Sequence, residues 1–126
     1  MKIIDANIKI IQDSRGKDTL EAELSSGDFS AVASVPAGKS TGAHEAFVLE
    51  PKSAIKKFEE IKNEILGKDF ETQEKFDNFL VQLDGTENKS NLGGNLILSL
   101  SLAFARLKAK EENLELFEYI SVVSSI

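Results

Sequence analysis

The sequence contains no cysteine, only two prolines and a single histidine among its 126 residues. The absence of cysteine excludes disulfide bonds, thiolate nucleophiles and zinc or iron–sulfur sites built on cysteine. A secretory signal is also lacking, because Asp5 interrupts the apolar start of the chain far too early for the hydrophobic region of a signal peptide. We therefore expect a cytoplasmic protein that is not exported.

Basic residues are outnumbered by acidic ones, and the formal net charge is −6. Nucleic acids and anionic membranes are held by clustered Lys and Arg, so this balance argues against both kinds of partner. The most apolar stretch is interrupted by Ser99, Ser101 and Arg106, and it is shorter than the ~20 residues that a membrane span needs. With 41% hydrophobic and 29% charged residues, the composition is that of one globular domain.

The first part of the chain shows the period-2 alternation that is typical of strands with one buried face. The alternating runs cover residues 4–10, 20–24 and 29–35. Short polar turns at 13–18 and 25–28 separate these runs, and such connections predict a three-stranded antiparallel meander. The apolar positions of the runs, Ile4 and Phe29 included, are expected on the buried face.

The rest of the chain changes to a helical period. Two sets of apolar residues recur with this spacing, namely Ile55, Phe58, Ile61 and Ile65, then Phe76, Phe79, Leu80 and Leu83. A third helix over residues 95–109 leaves almost no polar face and is expected to be buried on most sides. A short fourth helix is expected at 114–123. Strands followed by helices predict an α+β domain, with the helices stacked on one face of the sheet.

A segment rich in glycine and hydroxyl groups, PAGKSTG at residues 36–42, follows the third strand. Loops of this kind often carry function. A phosphate-binding P-loop is one interpretation, because the GKS within the segment matches the end of the G-x-x-x-x-G-K-[ST] pattern. The match fails, since the first glycine of the pattern falls on Ala33 and Pro36 removes an N–H donor. Taken alone, the glycines are equally well explained by turn conformations.

His44 is the only histidine, and it stands beside Glu45. A lone histidine is more often a structural, hydrogen-bonded residue than a base or a metal ligand. The many carboxylates lie mainly on the expected solvent faces of helices and strands, so they assemble no metal site. Residue types and spacing by themselves therefore point to no catalytic centre.

Three separated motifs occur in the order found in one known family. They are DSRG at 13–16, PAGKSTGAHEA at 36–46 and LDGTENKS at 83–90, followed by LGGNLILSLSLAFA and by LFEYI near the end. In these motifs the chain resembles the N-terminal domain of enolases over nearly its whole length. That domain is a three-stranded meander followed by helices, in agreement with the pattern above. The resemblance implies that residues 1–126 form the N-terminal, capping domain of an enolase.

Enolases are glycolytic lyases that interconvert 2-phosphoglycerate and phosphoenolpyruvate plus water. In the family, a Lys base removes the proton alpha to the carboxylate and two Mg²⁺ ions stabilise the enediolate. The base and most metal ligands belong to a C-terminal barrel domain, which we expect to be absent from this chain. The resemblance thus implies no catalytic residue here, and we expect the chain to be inactive without a barrel supplied in cis or in trans.

The family's mobile active-site loop corresponds to residues 36–42. By resemblance, this loop closes over the substrate and places Ser40 on the second Mg²⁺, with Gly38 and Gly42 as hinges. We call the whole region the substrate loop, and its further members are Lys39, Thr41, His44 and Glu45.

The substrate loop departs from the family at Lys39, which stands where Ala is common. The departure places a positive charge close to a phosphorylated substrate. Either this charge attracts the substrate, or the position merely tolerates a lysine. The loop is otherwise intact, which weighs against the alternative of a non-catalytic binding or regulatory module that docks on a full enolase. If catalysis had been lost, substitutions would be expected in this loop first.

Enolases are usually homodimers of the full enzyme, and the resemblance implies that Arg15 and Glu21 lie at the subunit contact. Glu21 would meet an Arg from the partner's barrel. Without the resemblance, Arg15 is a turn residue that caps backbone carbonyls, and Glu21 is a solvated strand carboxylate.

Overall fold

The structure, a computed structural model, describes residues 1–35, 48–87, 91–116 and 118–120. Within these residues, three strands are followed by three helices. They are β1 (Asp5–Gln12), β2 (Asp18–Ser25), β3 (Ser30–Ser34), α1 (Pro51–Ile65), α2 (Gln73–Asp84) and α3 (Gly94–Glu111). This order confirms the α+β class that the sequence predicts.

The sheet is an antiparallel meander with the strand order β1, β2, β3. Ala22 at its centre pairs with Ile8 on one side and with Ala33 on the other. Helix α3 packs against β2 and β3, and the small alanine side chains there allow a close approach of helix and sheet. The buried face of the sheet also carries Ala6, Leu20, Leu24 and Ala31.

Helix α3 is the central element of the core and is buried on most sides, as predicted, with Leu98 as an exposed exception. Near its end, Arg106 Nη1 donates to the Val32 carbonyl at 3.0 Å and Lys110 Nζ donates to the Ser30 carbonyl at 2.6 Å. Among the described residues, strand β3 has a strand neighbour on one side only. The two cations therefore cover an edge that would otherwise be open to pairing with another strand.

Helices α1 and α2 bury the faces that the sequence predicts. Phe58 and Ile65 of α1 are buried, as are Phe76 and Leu80 of α2. Helix α2 ends at Asp84, where the sequence DG predicts a stop. In the described part of the chain, no helix combines the length and the apolar character that crossing a membrane requires.

A cluster of phenylalanines joins α2 to α3. The rings of Phe76 and Phe104 are stacked, with centroids 4.3 Å apart and an interplanar angle of 12°. Phe70 meets Phe76 edge-on at 5.0 Å. Because Phe76 and Phe104 are fully buried, this stacking contributes to the packing of α2 against α3.

Two apolar residues expected on the buried face of the sheet are exposed instead. Phe29 is 42% exposed because it belongs to the turn before β3, where its carbonyl accepts a hydrogen bond from the Ser26 N–H at 3.0 Å. Ile4 is 51% exposed, while the adjacent Ile3 is fully buried. The alternation shifts here because the Ile3 backbone pairs with the segment after α1, whereas the Ile4 N–H donates to the Ser25 carbonyl. The prediction was wrong at both positions.

The expected fourth helix is described only in part. Residues 116 and 118–120 have helical backbone, whereas residue 117 and residues 121–123 lie outside the described ranges. The Tyr119 N–H donates to the Glu115 carbonyl at 3.0 Å, and its phenol donates to Gln73 Oε1 at 3.2 Å. This segment therefore docks on the start of α2.

Candidate functional site

The substrate loop lies outside the described residues. This holds for each of its members, namely Gly38, Lys39, Ser40, Thr41, Gly42, His44 and Glu45. The roles expected for them therefore stay predictions. The structure does describe both flanks of the segment 36–47, which Val35 precedes and Val48 follows.

Val35 continues the pairing with β2 beyond the end of β3. Its N–H donates to the Leu20 carbonyl at 3.3 Å, and its carbonyl accepts a hydrogen bond from the Thr19 hydroxyl. Val35 and Thr19 are both buried, so these bonds are shielded from water. The chain therefore leaves the sheet from a fixed point.

Leu49, on the other flank, is held by the side chain of Asn95 in the first turn of α3. The Leu49 N–H donates to Asn95 Oδ1 at 3.1 Å, and Asn95 Nδ2 donates to the Leu49 carbonyl at 2.9 Å. One amide side chain thus satisfies both polar backbone groups of one residue. Because the two bonds act in opposite directions, they fix the orientation of the Leu49 backbone as well as its position.

Gly93, the residue before α3, is packed against the same Leu49. Its backbone has a φ of +88°, and a β-carbon there would lie 2.9 Å from Leu49 Cγ. Glycine is therefore required both for the backbone conformation and for the approach of Leu49. The sequence pattern singles out neither Gly93 nor Asn95, because Leu49 stands 46 residues away from Asn95 along the chain.

Asp84, the last residue of α2, organises the turn that leads to α3. Its Oδ1 accepts hydrogen bonds from the N–H groups of Leu92 at 2.7 Å and Asn91 at 3.1 Å. Its Oδ2 accepts from the Thr86 N–H at 2.9 Å and from the Thr86 hydroxyl. The side chain is buried, so a single carboxylate ties the end of α2 to the start of α3.

Hydrogen bonds decide the charge state of Asp84. Burial, the largest single influence, acts to raise the pKa of its carboxyl group, but the donors from Leu92, Thr86 and Asn91 together hold the pKa below its usual value. The carboxylate is therefore ionised at neutral pH, and its charge strengthens the bonds that it accepts. The sequence DGT signals part of this role, because Asp side chains often accept from the N–H two residues further on.

The two residues expected at a subunit contact each have an ion-pair partner within the chain. The Arg15 guanidinium lies 3.5 Å from the Asp13 carboxylate, and the Glu21 carboxylate lies 3.3 Å from Lys9 Nζ on β1. Asp13 organises the turn itself, because the N–H groups of Lys17 and Arg15 donate to it and hold its pKa below the usual value. Arg15 and Glu21 both retain solvent exposure, and their role in a subunit contact stays a prediction.

A metal-binding cluster is not found in the described ranges, where no three His, Asp or Glu side chains come close enough together to hold an ion. The residues that the structure does bring together are Thr19 with Val35 on one flank of the segment 36–47, and Asn95 and Gly93 with Leu49 on the other. These contacts hold the residues on both flanks of the segment in place.

Comparisons with known proteins agree on one family. The family model for the N-terminal domain of enolase matches residues 3–120. An enolase from Archaeoglobus fulgidus is 39% identical over 123 residues, which cover 98% of this chain. The same alignment covers 31% of that relative, so the chain spans about a third of the length of the curated relative that it matches.

Proposed function

Because this chain belongs to the enolase N-terminal domain family, we propose that it acts as the N-terminal, capping domain of an enolase. That enzyme is the glycolytic lyase that interconverts 2-phosphoglycerate and phosphoenolpyruvate plus water, and we place it in the cytoplasm. The observation that carries the proposal is the match to the family over residues 3–120, a range that includes the whole substrate loop.

In this proposal the chain donates the substrate loop to an active site formed with a barrel domain. Residues 36–42 close over the substrate, Ser40 reaches a Mg²⁺ ion, and Gly38 and Gly42 act as hinges. The Lys39 ammonium adds positive charge near the phosphate of the substrate. The supporting members of the loop are Thr41, His44 and Glu45.

The two fixed flanks support this role. A loop that returns to one closed position needs anchored ends, because a free end adds conformations in which Ser40 is away from the substrate. Val35 and Leu49 provide such ends, each held by bonds to a different element of the domain.

The remaining chemistry belongs to other parts of the enzyme. Mg²⁺, when bound, would supply positive charge that stabilises negative charge developing on the substrate. The described residues hold no cluster that could bind this ion. By resemblance to the family, we assign its other ligands, and the base that removes the proton, to a C-terminal barrel domain. Accordingly, we expect this chain to be inactive alone.

The proposal also includes a homodimer of the full enzyme, with Arg15 and Glu21 at the contact. The pairing of Glu21 with Lys9 does not oppose this role, because the Lys9 side chain is exposed and an ion pair at the surface contributes at most about 1 kcal/mol. Glu21→Gln in the barrel-joined enzyme should weaken dimerisation in sedimentation experiments. Glu23→Gln, which removes an exposed carboxylate from the same strand, is the matched control. Equal dimer affinities for the two variants would remove Glu21 from the interface.

The decisive experiment measures phosphoenolpyruvate formation by its ultraviolet absorbance. The purified chain is supplied with Mg²⁺ and 2-phosphoglycerate, with and without the part of the Archaeoglobus fulgidus enolase that lies beyond the matched region. A fused version of the two parts is assayed in parallel. Ser40→Ala should lower turnover in the active combination, whereas Ser34→Ala, an exposed serine on β3, should not.

The outcomes separate the candidate functions. Activity only in the presence of the added part would support the proposal. Activity of the chain alone would place a base and a metal site within it and would overturn the expected inactivity. Inactivity of every combination, together with binding of the chain to an intact enolase, would favour the alternative of a non-catalytic regulatory module.

A further inference from the structure

We propose that Asn95 is a positioning residue for the substrate loop, acting through a clamp that it forms with Gly93 on Leu49. The inference rests on the proposed function for its catalytic consequence, but the clamp itself is a property of this chain. The clamp residues lie outside the substrate loop and fix the position of the backbone that follows it.

The clamp is built from two kinds of contact with Leu49, hydrogen bonds to its backbone and close packing against its side chain. The Asn95 side chain exchanges two hydrogen bonds with the Leu49 backbone, at 3.1 Å and 2.9 Å. Gly93 packs closely against both partners, since any β-carbon there would lie 2.8 Å from Asn95 Oδ1 and 2.9 Å from Leu49 Cγ. Leu49 is also partly buried and packs against the main core, which further restricts its side chain.

The element that carries the clamp is itself rigid. Asn95 and Gly93 stand at the start of α3, which is the most buried helix among the described residues. The turn before them is fixed by the Asp84 carboxylate through the N–H groups of Leu92 and Asn91. A displacement of Leu49 therefore requires either loss of the Asn95 bonds or movement of the core helix.

The location of Leu49 gives the clamp its functional meaning. Leu49 follows the segment 36–47 by two residues and precedes Glu50, whose carbonyl accepts the first hydrogen bond of α1 from the Ala54 N–H. Releasing Leu49 would remove the fixed point on one side of residues 36–47, while Val35 keeps the fixed point on the other side. A misplacement of about 1 Å in a group that contacts the substrate is enough to lower turnover by up to about a hundredfold.

The first test measures hydrogen exchange of the Leu49 amide by nuclear magnetic resonance in this chain. Asn95→Ala should reduce the protection of that amide by about tenfold, because its acceptor is removed. The Leu80 amide in α2 should keep its protection, which shows that the chain remains folded. Ser99→Ala is the matched control, since it removes a hydroxyl from the same helix that bonds only to the Leu96 carbonyl. Unchanged protection at Leu49 in Asn95→Ala would overturn the clamp.

The second test measures kcat and KM in the active combination of this chain with the added enolase part. Asn95→Ala should lower kcat by about tenfold with little change in KM, because closure rather than initial binding is disturbed. Ser99→Ala should leave both constants unchanged. A released Leu49 amide with normal kcat would overturn the positioning role. An inactive wild-type combination would instead defeat the proposed function, and the positioning role with it, while the exchange experiment would still decide whether the clamp exists.

Discussion

The Asp84 carboxylate accepts a hydrogen bond of 2.7 Å from the backbone N–H of Leu92, which stands eight positions further along the chain. This contact joins the last residue of α2 to the turn that leads into α3. The same carboxylate accepts bonds from Asn91 and Thr86, so it satisfies several backbone donors of that turn at once. The placement of α3, and of the Asn95 clamp at its start, therefore depends on one buried negative charge.

Replacing Asp84 with Asn should destabilise the chain by about 2–3 kcal/mol at neutral pH, because hydrogen bonds to a charged acceptor are lost. The new amide keeps one oxygen but presents an NH₂ group where the Thr86 N–H and hydroxyl need an acceptor. Urea unfolding followed by circular dichroism measures the cost. Asp28→Asn, which changes an exposed aspartate in the turn between β2 and β3, should shift stability by no more than about 0.5 kcal/mol.

The pH dependence of this effect has a defined sign. The pKa of Asp84 in the folded chain is below its ordinary value of 3.8, so the carboxylate stabilises the fold above that value. Its contribution is lost as the pH falls through the folded pKa. The stability difference between the chain and Asp84→Asn should therefore shrink from about pH 5 to about pH 2. A difference that stays constant over this range would show that the charge is not what stabilises the turn.

The sequence predicts the strands and the main helices correctly because their apolar periods are local. It fails at Phe29 and Ile4, where a turn bond and a shift of backbone pairing override the alternation. The contacts that hold the flanks of the candidate site are also hard to predict, since Asn95 contacts Leu49, which is 46 positions away. The family, by contrast, is evident from contiguous motifs, because the substrate loop and the DGT turn each keep their own local sequence.

Replacing Gly93 with Ala should destabilise the chain by about 2–4 kcal/mol, since backbone strain adds to a steric conflict with Leu49 and with the Asn95 side chain. Gly16→Ala is the matched control, because Gly16 also has a positive φ, of +79°, but a β-carbon there would have no neighbour within 4 Å. It should cost only about 1 kcal/mol. Thermal unfolding of both variants measures the difference. Equal costs would show that Leu49 and the Asn95 side chain move aside freely, which contradicts a rigid clamp.

Replacing Phe76 with Ala should cost about 3–5 kcal/mol, because the fully buried ring is stacked on Phe104 and its removal leaves a cavity. Phe29→Ala makes the same chemical change at a turn position and should cost no more than about 1 kcal/mol. Urea unfolding of the two variants compares them directly. Similar costs would mean that Phe29 is packed in the core, as its sequence pattern predicts, and would contradict its exposed position.

Tyr119 is the only tyrosine of the chain, so the absorbance of its phenolate reports a single group. Burial, with smaller contributions from the Glu112 and Asp77 carboxylates, raises the pKa of Tyr119 to about 12. The folded state thus favours the neutral phenol, which donates to Gln73 Oε1. The stabilisation is complete below the unfolded pKa of about 10 and is lost as the pH rises toward about 12.

A titration at about pH 11 distinguishes the two states of Tyr119, because a solvated phenol is then about 90% ionised and a phenol with a pKa of about 12 only about 10%. Circular dichroism of the same sample shows whether the chain is still folded, and a titration in urea gives the solvated reference. If the folded chain matched the urea reference, the phenol would be in water, and the segment at 118–120 would not be docked on α2. If it stays neutral, Gln73→Ala should lower the titration midpoint, because the phenol then loses its hydrogen-bond acceptor and the neutral form loses part of its advantage.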